Sequence, residues 1–205
     1  MDVVNREKKE RRVASIVRAG FKPFRKSETR RQPPWGQIRL AIVADLNDYL
    51  AFIRLDAARN LVARHGKEPL PADWRPKQRD RARDLLVDLE RVSRDRWMAM
   101  DKPRTDESIA DYRKKNLGED RIKTIAQTEV TIAHQQGEQD AIDYLKRVSK
   151  QRFKARWRVR PGNCCERCTA MNNKLSTYWK RFYPMGPPVH PRCRCIIEYE
   201  ERSSN

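Results

Sequence analysis

The sequence predicts an α+β protein: a mostly helical N-terminal part followed by a small zinc-stabilised β unit packed on a long helix. Three observations carry this expectation. Apolar residues recur at steps of three and four through most of residues 37–148. The period then switches to two in FKARWRVR, residues 153–160. All five cysteines fall into two tight clusters, NCCERC (163–168) and HPRCRC (190–195), the second holding one of only three histidines.

Composition bounds the rest. Charged residues make up 36% of the 205 and the apolar set 38%, so a modest core with much solvated helix is expected. No apolar run approaches the about 18 residues of a membrane span, and the basic N-terminal stretch lacks the apolar segment of a secretory signal. A membrane partner is therefore not expected. The formal charge of +18 favours a polyanion, double-stranded DNA or an acidic protein surface, bound less tightly as salt rises. Solubilisation by excess arginine is the competing explanation.

Residues 1–36 read as a basic extended arm. Between Arg6 and Arg31 there are 11 Lys or Arg against three acids. Lys8, Lys9, Arg11, Arg12, Arg25, Lys26, Arg30 and Arg31 are the candidate contacts to nucleic acid or an acidic surface. A short helix here would have only Val13, Ile16 and Val17 to bury, and RRQPPWG stops it.

Residues 37–104 read as an antiparallel helix pair. Ile38, Ile42, Leu46, Tyr49, Ile53, Ala57 and Leu61 share one face of the first helix, which Gly66 and two prolines end. Asp73 is the expected N-cap of the second, with Pro76 in its first turn and Ala82, Leu85, Leu86, Leu89, Val92 and Trp97 as its stripe. The alternating Asp and Arg of residues 79–96 read as a solvated face with weak ion pairs.

Residues 105–199 open on a helical region from about Ser108 to Ser149, interrupted near Gly118. Its expected buried side comprises Ile122, Ile125, Ala126, Ala133, Gly137, Ala141, Tyr144, Leu145 and Val148, with Gly137 marking close packing or a kink. In FKARWRVR, Phe153, Ala155, Trp157 and Val159 alternate with four basic residues, giving a half-buried strand with a wholly basic outer face. CIIEYE reads as a second short strand, and residues 200–205 as a tail.

The cysteines are odd in number and clustered, unlike a disulfide scaffold, so reduced thiols on a metal are expected. Cys165 and Cys168 form a C-x2-C knuckle whose thiolates can grip one tetrahedral ion at about 2.3 Å. His190 and Cys193 follow after 21 residues, and Cys195 one residue later. Soft and borderline ligands select Zn2+. The first choice is Cys165, Cys168, His190 and Cys193, with Cys195 the substitute for one of the last two; Cys164 is left out. The zinc is expected to be structural, since catalysis would need an open coordination position and a nearby general acid or base, and the surrounding residues are mostly Arg, Asn and Pro. It would tie one strand to the other and lend its binding free energy to a β unit too small for a core of its own.

One order of motifs stands out: IAQTEVTIAHQQG (125–137) in a helix, a strand bearing Trp157, CERC (165–168), GPPVHPRCRC (186–195) and a closing strand. Over about residues 108–199 it resembles the C-terminal domain of the phage Mu F-like minor head, or head morphogenesis, proteins. That family's helix carries Arg-Thr-Glu; here Thr128 and Glu129 match and Gln127 replaces the Arg. Asn163 and Cys164 stand where the family's knuckle is entered through Thr. The resemblance implies a low-copy virion component without enzymatic activity. It would act at the capsid interior or portal vertex and assemble in the host cytoplasm. Its partners would be a portal or inner capsid protein, and its task head morphogenesis, DNA packaging or DNA exit.

A stand-alone zinc-containing nucleic-acid-binding protein is the alternative. A zinc-stabilised HNH nuclease is a third reading, weakened because His190 is already given to zinc. Glu129 and Thr128 could be read as catalytic, but a mid-helix carboxylate more often pairs with an Arg or faces water. His65 and His134 are expected in surface or packing roles, and the five tryptophans as scattered core anchors.

Overall fold

The computed structural model describes residues 3–25, 33–65, 69–77, 80–101, 104–160 and 164–202. The fold is α+β. Five helices come first: α1 (Val3–Arg25), α2 (Trp35–Arg64), α3 (Arg81–Met98), α4 (Asp106–Leu117) and α5 (Glu119–Ser149). Then follow β1 (Phe153–Arg158), two short helices, α6 (Glu166–Met171) and α7 (Ser176–Trp179), and β2 (Ile196–Glu201).

The chain divides into two compact units whose bounds cut across the expected ones. An N-terminal unit comprises Val4–Tyr49 and Arg79–Ala126; a C-terminal unit comprises mainly Leu50–Gln78 and Gln127–Asn205. The reason lies in helix length. Helices α2 and α5 have 30 and 31 residues, each about 45 Å long, more than one small core can cover. Each therefore contributes one part to either unit.

In the N-terminal unit, residues 3–25 form a 23-residue helix, where an extended arm was expected. Val13, Ala14, Ile16, Val17 and Phe21 are all buried, and Phe21 meets the edge of Trp35 at 5.9 Å. The stripe that looked too thin is wide enough once Ala14 and Phe21 join it and a partner face is supplied. A Cβ on Gly20 would stand 2.2 Å from Ile42 Cγ2, so α1 approaches α2 closely there. The indole N–H of Trp35 donates to Ser93 Oγ at 3.1 Å. Arg18 and Arg25 both donate to the Glu119 carboxylate, at 2.9 and 2.6 Å.

Helix α3 starts later than expected, at Arg81, because Asp80 and not Asp73 caps it, accepting from Arg83 N at 3.3 Å. Asn47 completes that cap, donating to Asp80 Oδ1 and accepting from Ala82 N. Helix α4 begins on Thr105, whose hydroxyl accepts from Ser108 N, and breaks from α5 at Gly118 as the sequence suggests.

In the C-terminal unit, α5 lies against α2 at Gly137, where a Cβ would stand 2.1 Å from the Arg54 carbonyl oxygen. Gly137 thus marks close packing. Ala58, Leu61 and Val62 of α2 form a core with Ala141, Ile142 and Leu145 of α5, and Phe153 and Tyr199 of the two strands pack against it. The β unit therefore rests on the long helix. Val148, expected in the stripe, is 59% exposed, because α5's last turn runs past this core. The strands pair antiparallel, from Phe153 with Glu201 to Arg158 with Ile196, so β2 runs two residues into the expected tail. The basic outer face of β1 is largely neutralised: Arg156 bonds Glu200 at 2.9 Å and Arg158 bonds Glu198.

Candidate metal centre

The knuckle is shaped by the start of a helix. Cys165 is the N-cap of α6, extended at φ −82° and ψ 162°, and its carbonyl accepts the first helical bond from Thr169 N at 2.9 Å. Cys168 sits one turn on and is buried. After α6 the chain turns through Asn172 and Asn173 and bonds back to β1: Asn173 N donates to Trp157 O, and Trp157 N to Lys174 O. The knuckle is thereby tied to the strand.

The second half comes from a tight turn. Cys193 N donates to His190 O at 3.1 Å, with Pro191 at the second position and Arg192 at the third, where φ is +64°. This is a type II arrangement, which Pro favours at the second position and Gly at the third. Helix α5 holds the turn from behind. Thr128 Oγ1 accepts from Arg192 N at 3.2 Å, and the Thr131 hydroxyl lies 3.2 Å from Cys193 O while also bonding Gln127 O. Gln135 Nε2 reaches Cys195 O at 3.4 Å. These three side chains share one face of the helix, and no motif singled out Thr131 and Gln135 as anchors; only the tertiary contact reveals them.

The five predicted ligands fall into two overlapping sets of three. Among the described residues, the ligand atoms of Cys165, Cys168 and His190 lie within 4.8 Å of one another, as do those of Cys168, Cys193 and Cys195. Cys168 belongs to both sets. His190 Nε2 stands 3.1 Å from Cys165 Sγ and 3.5 Å from Cys168 Sγ, and Cys168 Sγ stands 3.7 Å from Cys193 Sγ. A tetrahedron with sulfur arms of about 2.3 Å has S···S edges of about 3.8 Å, and S···N edges of about 3.6 Å. Two of the three distances match those edges, and the third is shorter. His190 Nδ1 faces Pro191 O at 2.8 Å; donating there, it leaves the Nε2 lone pair aimed at the thiols, the tautomer a metal needs. Cys164 is exposed and outside both sets.

Electrostatics favour a cation as well. A hydrogen bond from the Cys195 thiol brings Cys193 down to about 5. Donating that proton raises Cys195, and burial raises Cys168. Burial opposes ionisation of Cys165, but the Cys168 N–H and thiol, the His190 ring and the Arg167 N–H together outweigh it and lower the thiol. Burial likewise disfavours the charged His190 ring, which its bond to Pro191 O and the nearby thiolates raise overall. So many thiols can ionise together only around positive charge. The cluster lies in a small core with Trp157, Met171, Trp179 and Ile197, Trp157 and Trp179 packing edge to face at 5.7 Å. The Cys and His residues present can hold a metal ion.

The other candidates fall elsewhere. Glu129 of α5 is only 1% exposed. Buried His134 has its Nδ1 3.6 Å from Glu138 Oε2, and Arg64 bonds the same carboxylate; burial raises the Glu138 carboxyl while Arg64 pulls it down. His65 packs against Phe153 at 5.2 Å. Of the basic candidates, Lys8, Arg11 and Arg12 are exposed, but Lys9 is buried and Arg25 is half-buried on Glu119. Lys26, Arg30 and Arg31 lie outside the described residues. No helix is long and apolar enough to cross a membrane among the described residues. No protein-family model, curated protein or solved structure matches the chain.

Proposed function

We propose that this chain is a minor head protein of a tailed phage, acting near the portal, with its C-terminal unit held by one structural zinc ion. One observation carries the reading: three motifs distant in sequence converge on one spot. The Thr128 hydroxyl of the α5 motif accepts the Arg192 N–H within HPRCRC, and His190 of that turn faces both thiols of the CERC knuckle. The order and spacing that resemble the Mu F-like domain thus belong to a single folded device. Zinc is supported by a sulfur-rich set of soft and borderline ligands, two of whose separations match tetrahedral edges.

The metal's role is structural. Four of the five candidates would fill a tetrahedron and leave no position for substrate, and Cys168, Cys193 and Cys195 lie in a core with Trp157 and Trp179. The ion would join the knuckle to the turn leading into β2, lending binding energy to a two-stranded sheet that is marginal alone. The exposed Lys8, Arg11 and Arg12 of α1 would meet double-stranded DNA, and portal or inner capsid protein would be the docking partner.

Mass spectrometry of purified particles of the encoding phage tests the assignment. The chain should be present at low copy, and a Cys168→Ser/Cys193→Ser variant should be incorporated poorly. Particles lacking the wild-type chain would contradict a virion role and leave the stand-alone nucleic-acid-binding reading.

A further inference from the structure

We infer that residues 174–185 form a docking site for an unpaired nucleic-acid strand, whose bases stack on Tyr178 and Phe182 and whose phosphates meet Lys174, Lys180 and Arg181. The two aromatics are 42% and 57% exposed, and their ring centroids lie 5.6 Å apart with planes at 50°. Both rings therefore stand at the surface, the Tyr178 ring with the Lys174 ammonium over it. Met185, three residues after Phe182, is 86% exposed. Exposed aromatics this close together are a feature of binding surfaces, since lone apolar groups are common but paired ones are not.

The platform is fixed in place. Trp179, between the two exposed rings, turns inward and packs on Trp157, while Phe182 N and Tyr183 N both bond the Trp179 carbonyl, at 3.1 and 2.9 Å. The inward ring orients the outward ones, so little freedom is lost on binding.

Charge selects the partner. From Arg167 to Ile197 there are six Lys or Arg and no acid, although the whole chain carries 28 acids. Lys174, Lys180 and Arg181 are exposed, and the Lys174 ammonium stands 5.2 Å from the Tyr178 ring centroid. Lysine is depleted from protein–protein interface cores, whereas cations interleaved with open aromatic faces suit a phosphate backbone with splayed bases. A duplex offers no base faces, so the strand must be unpaired. This inference is independent of the virion assignment and of helix α1.

The full-length, zinc-loaded chain should be titrated with labelled oligothymidine and with a duplex of equal length. Tyr178→Ala/Phe182→Ala should weaken oligothymidine binding by about tenfold or more and duplex binding by no more than about twofold. Unchanged oligothymidine affinity would overturn the inference and turn attention to an acidic protein partner; equal weakening on both ligands would also overturn it. Should the variant fail to fold, photocrosslinking of wild-type chain to iodouracil-substituted single strands decides. Adducts on Tyr178 or Phe182 are expected, and adducts confined to other segments would refute the site.

Discussion

Cys168 carries more of the metal cluster than its neighbours, because its thiol belongs to both ligand sets. Cys168→Ser should lose stoichiometric zinc and destabilise the C-terminal unit by about 3 kcal/mol or more, read by metal analysis and thermal melting. Arg192 poses a different question, since a non-glycine residue at φ +64° is strained. Arg192→Gly should therefore range from neutral to about 1 kcal/mol more stable in urea melts, while Arg192→Val should cost more than about 1 kcal/mol. The clustering of Cys165, Cys168, His190, Cys193 and Cys195 was legible, because C-x2-C and H-x2-C-x-C spacing is local in the sequence. Thr128, Thr131 and Gln135 were not, because their role depends on which turn happens to lie against α5.

Among the elements, the crossing of α2 and α5 is set by Gly137, with no room for a methyl group against the Arg54 carbonyl. Gly137→Ala should destabilise by about 1–3 kcal/mol through overpacking, measured by chemical denaturation. Helix α1 is joined to the first turn of α5 through Glu119. The bond from Arg18, seconded by Arg25, holds the Glu119 carboxyl at about 2, below its ordinary 4.5. A depressed carboxylate stabilises fully above its unfolded value and ceases to do so as pH falls through its folded one. The stability gap between wild type and Glu119→Gln should accordingly shrink between pH 4.5 and about 2. As the pair is partly exposed and screened, the gap at neutral pH should be about 1 kcal/mol or less. The apolar faces of α2 and of most of α5 were legible from periodicity, and the break between α4 and α5 from Gly118. Helix α1 was misread because its stripe is buried only with the help of Trp35, and α3's start because Asn47, 33 residues away from Asp80, selects the cap.

For the whole molecule, ion pairs such as Arg156–Glu200 and Arg158–Glu198 consume one acid for each base and leave the charge of +18 unchanged, so the question is where the surplus cations lie. On α1 only Lys8, Arg11 and Arg12 of the expected contacts are described as exposed. Replacing these three with Ala should lower the salt dependence of duplex binding by about one unit of slope for each phosphate they neutralise. An unchanged slope would place the DNA-binding surface elsewhere. The division into units could not be read from the sequence, because a helix spanning two cores keeps one uninterrupted apolar period. The most direct measurement is zinc K-edge X-ray absorption on the freshly purified chain. One zinc per chain is predicted, bound by about three sulfurs near 2.3 Å and one nitrogen near 2.0–2.1 Å. A metal-free protein, or an ion surrounded by oxygen and nitrogen alone, would contradict the zinc-held architecture.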